Sequence, residues 1–165
     1  MTIQVGQKIP NVCLKIVNSD GVKEVSTLEL FNGKKSIVFG LPGAFTPVCS
    51  ARHVPEFAAN KDVLQKAGVD QIVCLSVNDA FVMKAWADQL NVTDSVIMLC
   101  DGNGSLTEAL GMTLDLSAHG LGVRSKRYAM IVDDCVVKHL GIEDTPETCS
   151  VSSAEYFVNL LSKAV

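Results

Sequence analysis

The 165-residue sequence lacks the features that mark membrane proteins and nucleic-acid-binding proteins. It has no apolar run close to the roughly 20 residues that a membrane-spanning helix requires. Its net charge is −4, so it has no excess of basic residues with which to bind a nucleic acid or an anionic membrane. We therefore expect neither a nucleic acid nor a membrane among its partners.

The N-terminus also lacks a recognisable targeting segment. Residues 1–10 contain no basic stretch followed by an apolar one, and they are not rich in Arg and Ser as a transit peptide is. We therefore expect a cytoplasmic location. Import into an organelle stays open, because a presequence that has been cleaved leaves no trace in the mature chain.

The cysteines lack the spacing of a zinc ribbon or of a C-x-x-C redox pair. There are six of them: Cys13, Cys49, Cys74, Cys100, Cys135 and Cys149. In a reducing compartment we expect free thiols. Cys74, Cys100 and Cys135 each lie inside a strand-like apolar run and are predicted to be buried. The glycine-containing turn at 101–104 lacks the lysine of a phosphate-binding loop and the spacing of a Rossmann motif, so it does not indicate a nucleotide site. We expect no metal and no other cofactor.

What the sequence does contain is the composition of a globular domain. Hydrophobic residues make up 48% and charged residues 19% of the chain. A chain of this length can bury a substantial core, and we predict a single domain over residues 1–165.

Strand-like segments alternate with helix-like ones. Apolar runs of strand length occur at 36–41, 71–77, 96–100, 128–132 and 136–140. Asp133-Asp134 is predicted as the turn between the last two. The alternation predicts an α/β fold with a mixed central sheet flanked by helices, an order that a thioredoxin-like fold satisfies.

The predicted helices fall between these runs. Residues 51–67 are mostly good helix formers, although Pro55 should kink the helix or shift its start. Residues 80–90 follow the N-capping residues Asn78 and Asp79, and carry an apolar stripe that we assign to the core. Capping boxes beginning at Ser105 and Ser152 predict two further helix starts.

The segment most informative about chemistry joins the first strong apolar run to the helix after it. Pro47 suits the first helical position, where its missing N–H costs nothing, and Thr46 suits the N-cap. Cys49 then lies in the first turn, where unpaired N–H groups and the positive end of the helix dipole point at its sulfur. Such surroundings favour the thiolate, which is the nucleophilic form of cysteine.

The same segment carries a family resemblance. Pro42-x-x-x-Thr46-x-x-Cys49 resembles the peroxidatic motif of the peroxiredoxins, and the string Pro-Gly-Ala-Phe-Thr-Pro-Val-Cys-Ser is similar to that of their type II subfamily. The similarity continues through 76–86, 101–104 and 120–130, and covers nearly the whole chain. It implies a thioredoxin-like fold and a thiol-dependent peroxidase that reduces hydrogen peroxide and organic hydroperoxides.

The resemblance also implies a role for each matching residue. Cys49 would be the peroxidatic cysteine, and Arg127 would hydrogen-bond the peroxide and favour the thiolate. Thr46 would present its hydroxyl to the peroxide and the thiolate, and Pro42 would shield the pocket. Arg124 competes for the arginine role, but Arg127 is preferred because it abuts the predicted strand at 128–132.

Two alternatives remain at this stage. His53 lies four residues after Cys49, so the two could share a helix face and form the Cys–His pair of a hydrolase. We favour a packing or surface histidine. The other alternative is a non-enzymatic one, a redox sensor or chaperone-like partner that uses the same thiolate without steady turnover.

The resemblance implies a sulfenic acid on Cys49, a second thiol that resolves it, and a homodimer. Cys149 matches the resolving segment of a mammalian type II member and lies in a polar connection, 143–153, that we predict to be mobile. Cys74 lies where plant relatives carry a second cysteine, but its surroundings predict an inner strand. An external thiol is the third route. The expected reductant is thioredoxin, or glutathione with glutaredoxin.

Overall fold

The structure is a computed structural model that describes residues 1–163. Its strands are β1 (Cys13–Asn18), β2 (Gly21–Ser26), β3 (Lys35–Leu41), β4 (Gln71–Ser76), β5 (Ile97–Cys100), β6 (Thr113–Asp115), β7 (Val123–Ser125), β8 (Tyr128–Asp133) and β9 (Val136–Ile142). Its α-helices are α1 (Thr27–Phe31), α2 (Val54–Ala59), α3 (Lys61–Lys66), α4 (Ala80–Leu90), α5 (Ser105–Ala109) and α6 (Ala154–Lys163). A π-helical turn (Cys49–His53) precedes α2, and a 3₁₀ turn (Ser117–His119) precedes β7.

The main sheet is mixed, with the strand order β2-β1-β5-β4-β3-β8-β9. Strands β3, β4 and β5 are parallel to one another, and the other pairings are antiparallel. Apolar clusters cover both faces, because Phe39 of β3 packs among residues of α2, α4 and α6 while Val38 packs among residues of α1 and α5. The predicted mixed sheet flanked by helices is confirmed.

The helix predicted over 80–90 is also confirmed, and Asp79 caps it by accepting a hydrogen bond from the N–H of Val82 at 2.9 Å. The helix predicted over 51–67 is wrong in its extent, since helical structure begins at Pro47 and is divided into the π-helical turn, α2 and α3. Pro55 has no N–H to donate. The chain accommodates it with the wider turn, in which the N–H of Val54 donates to Cys49 C=O.

Both predicted capping boxes miss the true N-cap by one residue. Gly104 occupies the N-cap of α5, and the Asp101 carboxylate accepts from the first N–H groups of that helix. For α6 it is the hydroxyl of Ser153 that accepts from the N–H of Tyr156, at 3.1 Å. The hydroxyl of Ser152, the predicted cap, donates instead to the carboxylate of Glu143.

The turn between β8 and β9 also differs from the prediction. Its central residues are Asp134 and Cys135, both at positive φ, and not Asp133-Asp134. Cys135 is buried as predicted, but it lies in this turn and not in a strand. Within residues 1–163 the longest helices have 11 and 10 residues, and none combines the length and apolarity needed to cross a membrane.

Candidate active site

The loop after β3 delivers Cys49 to the start of a helix, at the carboxyl end of the parallel strands. Pro47 is the first helical residue, and the N–H of Ser50 makes the first helical bond, 2.9 Å to Thr46 C=O. The N–H of Cys49 precedes that bond and points out of the helix start. The loop is braced by Asn78, which follows β4 and accepts a hydrogen bond from the N–H of Ala44 at 2.9 Å.

Thr46 and Pro47 stand where the sequence predicts, but the hydroxyl of Thr46 is used differently. It donates to the C=O of Gly43 at 2.7 Å. A carbonyl oxygen only accepts, so the hydroxyl proton is committed to the loop and the Thr46 oxygen is left as an acceptor. The helix start is fixed from the other side by Trp86, whose indole N–H donates to the Ser50 hydroxyl at 2.9 Å.

Arg127 holds the sulfur of Cys49. Its Nη2 donates to Cys49 Sγ at 3.0 Å, and both residues are buried, at 2% and 0% exposure. Its Nη1 donates to Nδ1 of His53 at 2.8 Å, and its Nε donates to the C=O of Pro146 at 2.9 Å. Because the guanidinium is planar, three partners in different directions fix its orientation.

Arg124, the competing arginine, has other partners. Its Nε donates to Leu121 C=O at 2.8 Å and its Nη1 to Val77 C=O at 3.4 Å. A Cβ on Gly43 would lie 2.8 Å from the same Nη1, so Arg124 also lies against the active-site loop. Its guanidinium braces the surrounding loops, whereas the guanidinium of Arg127 contacts the sulfur.

Both ring nitrogens of His53 are engaged. Nε2 is 2.8 Å from the C=O of Ser152, and since a carbonyl only accepts, Nε2 carries the hydrogen. Nδ1 is then the acceptor for Arg127. With both nitrogens committed, His53 is not available as a base for Cys49, which removes the basis of the cysteine-hydrolase alternative. The packing histidine that we predicted is confirmed, its ring 4.7 Å from that of Phe39. The sequence did not predict the hydrogen bond between His53 and Arg127.

The protonation of His53 makes a testable contribution to stability. Burial and then the adjacent charge of Arg127 lower the pKa of His53 from 6.5 to about 3. Below pH 6.5 the unfolded chain takes up a proton that the folded chain refuses, so the free energy of unfolding falls as the pH falls towards 3. The slope is up to about 1.4 kcal/mol per pH unit.

Urea denaturation at pH 7 and at pH 5 measures this loss. His53→Gln keeps one acceptor and one donor but cannot titrate, so its unfolding free energy should change less between the two conditions. His119→Gln, at an exposed position, is the matched control. The same pH dependence in wild type and His53→Gln would show that another group is responsible.

A cavity of about 280 Å³ opens beside this arrangement. Its walls include Pro42, Thr46, Val48, Leu116, Leu121 and Arg127. Most of the wall is apolar, and Arg127 supplies a charged donor within it. Elsewhere in residues 1–163, no three His, Cys, Asp or Glu side chains are grouped so as to hold a metal ion.

The connection that carries Cys149 makes several hydrogen bonds that the sequence did not predict. Cys149 is 7% exposed, and burial raises the pKa of its thiol. The buried carboxylate of Glu143 accepts hydrogen bonds from Ser150 and Ser152 on the far side of the loop. The burial of Glu143 could not be predicted from the sequence, because most glutamates in polar loops are solvated.

Cys74 lies in β4, fully buried, as the sequence predicts for an inner strand. Burial raises the pKa of its thiol well above the usual value, and the neighbouring Cys49 adds to the shift. The thiolate of Cys74 is therefore strongly disfavoured in the folded protein.

The chain is similar to known proteins over most of its length. The family model described as Redoxin matches residues 4–158. Peroxiredoxin-2E, chloroplastic, of Arabidopsis thaliana is 49% identical over 87% of this chain, which spans 63% of that relative's length. Peroxiredoxin-2B of the same plant is 43% identical, with 96% of this chain and 98% of the relative covered. The crystal structure of reduced Prx3 in complex with H₂O₂ from Vibrio vulnificus matches with a TM-score of 0.91 at 44% identity, over 99% of this chain and 98% of that one.

Proposed function

This chain belongs to the Redoxin family and is a peroxiredoxin, a thiol-dependent peroxidase with an antioxidant function, and we propose that Cys49 is the thiol that reacts with the peroxide. The observation that carries the proposal is the 3.0 Å hydrogen bond from Arg127 to Cys49 Sγ at the start of a helix. A charged donor at that distance stabilises a thiolate.

The reaction then follows from the groups around the sulfur. The thiolate of Cys49 attacks one peroxide oxygen, the S–O bond forms and the O–O bond breaks. The second oxygen leaves with the electron pair and takes up a proton, giving water or an alcohol, and Cys49 becomes a sulfenic acid. Arg127 and the N–H of Cys49 stabilise the charge that develops on the leaving oxygen. Thr46 accepts a hydrogen bond from the peroxide, and Pro42 shields the pocket.

The shape of the cavity supports organic hydroperoxides as well as hydrogen peroxide as substrates. Hydrogen peroxide fills only a small part of about 280 Å³. The apolar side chains of Leu116 and Leu121 can cover the hydrocarbon part of a larger hydroperoxide.

We further propose that Cys149 resolves the sulfenic acid by forming a disulfide with Cys49. Support comes from Arg127, which contacts both the sulfur of Cys49 and the C=O of Pro146 in the loop that carries Cys149. Thioredoxin, or glutathione with glutaredoxin, would then reduce the disulfide by thiol exchange. Direct resolution by an external thiol is the second candidate. Cys74 is the third, because it would have to leave an inner strand.

Replacing Cys149 with Ser separates these routes. If Cys149 resolves, the variant loses turnover coupled to thioredoxin, by about tenfold or more, because no disulfide forms for thioredoxin to attack. Its first oxidation by peroxide should stay close to the wild-type rate. Cys13→Ser removes an exposed thiol outside the loop and is the control. Full activity of Cys149→Ser with both reductants would mean that Cys149 has no part in the cycle.

We propose a homodimer, and two exposed aromatic side chains support the proposal. Phe81 is 87% exposed and Phe45 is 48% exposed. The ring of Phe45 lies 6.4 Å from that of Trp86 of helix α4, and Phe81 is the second residue of the same helix. Aromatic side chains are enriched in the interfaces between subunits. Sedimentation equilibrium that finds only monomers at micromolar concentration would refute the proposal.

The proposed location is the cytoplasm, where six free thiols are stable. The curated relatives include a chloroplastic and a mitochondrial protein, so an organelle is the alternative. Fractionation of the source cells, with recovery of the protein in an organelle, would overturn the cytoplasmic assignment.

A further inference from the structure

The loop between β9 and α6 is closed on itself by one buried carboxylate. Glu143 is 8% exposed and accepts from the N–H and hydroxyl of Ser150, at 2.8 and 3.1 Å. It also accepts from the N–H and hydroxyl of Ser152, at 2.8 and 2.5 Å. All four partners are donors, which suits an ionised carboxylate because it only accepts. Cys149 lies inside the loop that these bonds close.

The same loop is attached to two arginines near the active site. Arg127 donates from Nε to the C=O of Pro146 at 2.9 Å. Arg52 donates from Nη2 to the C=O of Cys149 itself, at 3.4 Å. The backbone around Cys149 is therefore held at several points.

A continuous path of hydrogen bonds leads from the carboxylate to the reactive sulfur. Glu143 holds Ser152, whose C=O accepts from Nε2 of His53. Nδ1 of His53 accepts from Arg127, and Arg127 donates to Cys49 Sγ. The carboxylate that closes the loop thus also supports the histidine that orients the arginine.

We propose that Glu143 is a positioning residue that keeps Cys149 buried in the reduced protein, and that its bonds to the loop break before Cys149 reaches Cys49. The proposal rests on the function proposed above, in which Cys149 resolves Cys49. Cys149 borders a depression shared with Glu56 and Tyr156, whereas the cavity beside Arg127 has other walls. Because Cys149 does not line the cavity beside Arg127, we expect the loop to move when the two sulfurs meet.

In the resolving step the sulfur of Cys149 attacks the sulfur of the Cys49 sulfenic acid. The S–S bond forms and the S–O bond breaks. The hydroxide that leaves takes up the thiol proton of Cys149 and becomes water. The rate of this step is proportional to the fraction of molecules with the loop open, so a carboxylate that closes the loop limits it.

The experiment measures how fast each cysteine of the reduced protein is alkylated by an excess of a maleimide, with peptide mass spectrometry resolving all six. Glu143→Gln replaces one acceptor oxygen with an amide N–H₂ group. This group is itself a donor and cannot accept from the N–H and hydroxyl groups of Ser150 and Ser152. We expect Cys149 in this variant to be alkylated about tenfold faster than in wild type. Asp144→Asn, an exposed neighbour in the same loop, is the matched control and should leave the Cys149 rate unchanged.

Buried Cys74 distinguishes local opening from general destabilisation. Its alkylation should not change in Glu143→Gln, because Cys74 lies in an inner strand of the sheet and is exposed only when the core opens. If Cys149 reacts equally fast in all three proteins, or if Cys74 accelerates together with Cys149, the proposal is overturned. Should Glu143→Gln fail to fold, Ser150→Ala, which removes the 3.1 Å hydrogen bond from the Ser150 hydroxyl to Glu143, decides by the same criteria with an expected rise of about threefold.

This test is independent of whether Cys149 resolves Cys49, because no peroxide is present. Disulfide mapping of the wild type after one equivalent of peroxide tests the resolving step separately. One outcome is that the wild type forms the Cys49–Cys149 disulfide while the alkylation rate of Cys149 is unchanged in Glu143→Gln. That result would refute the role of Glu143 and leave the proposed function intact. Faster alkylation without that disulfide would remove the resolving step and leave Glu143 as the residue that keeps Cys149 buried.

Discussion

Replacing Cys49 with Ser should abolish peroxide reduction and leave the protein folded. A serine hydroxyl is almost fully protonated at neutral pH and attacks an O–O bond poorly, so we expect activity to fall by roughly a thousandfold or more. The fold should tolerate the change, because serine is nearly isosteric and its oxygen can still accept the hydrogen bond from Arg127.

Peroxide consumption at saturating reductant measures the loss, and circular dichroism and urea denaturation check the fold. Cys135→Ser, at a buried cysteine in the turn between β8 and β9, is the control and should keep its activity. Normal turnover by Cys49→Ser would remove the assignment of the nucleophile.

Replacing Arg127 with Ala should slow the oxidation of Cys49 far more than its later reduction. The variant loses the donor 3.0 Å from the sulfur, which is needed for the thiolate and for the charge on the leaving oxygen. Loss of one positioned charged donor costs about 2–4 kcal/mol, or roughly ten- to a thousandfold in rate. The variant also leaves His53 Nδ1 and Pro146 C=O without their donor, so its stability has to be measured alongside.

Arg124→Ala is the matched comparison, since it removes the same group from a neighbouring loop. Its partners are the C=O groups of Leu121 and Val77, so its effect on the oxidation rate should be well below that of Arg127→Ala. Stopped-flow oxidation, followed by the fluorescence of Trp86 next to Ser50, measures both variants. Equal and small effects would mean that the wrong arginine, or the wrong role, has been assigned.

The start of the active-site helix could be predicted from the sequence because its signals are local. Proline at the first helical position and threonine before it follow from the missing N–H and the restricted backbone of proline, and Pro47 and Thr46 lie there. The runs that became β3, β4 and β8 were recognisable because these strands are buried on both faces and therefore continuously apolar.

Elements at the edge of the sheet gave no comparable signal. Strand β2 carries no fully buried residue, and β6 and β7 have only three residues each, so their apolar pattern is weak. The short helix α1 was missed although Ser26 and Glu29 form a capping box, because five residues are too few to show helical periodicity.

The connections around the reactive sulfur were out of reach of sequence patterns for a different reason. His53 and Ser152 are 99 positions apart, so only the folded chain brings them together. Arg127 and Cys49 are 78 positions apart, and they were paired through the family resemblance and not through a local pattern. Taken singly, each residue is explained by an ordinary structural role, such as a packing histidine or a solvated loop residue. Their combination becomes visible only when the hydrogen bonds of each buried polar group are accounted for.

The central claim, that Cys49 is the residue peroxide oxidises, is tested most directly by trapping the sulfenic acid. Reduced Cys149→Ser, which cannot form the proposed disulfide, is treated with one equivalent of hydrogen peroxide in the presence of a cyclic 1,3-dione that reacts with sulfenic acids. Peptide mass spectrometry then locates the adduct among the remaining cysteines. We expect the adduct on Cys49 alone, and an adduct on another cysteine with Cys49 unmodified would contradict the account.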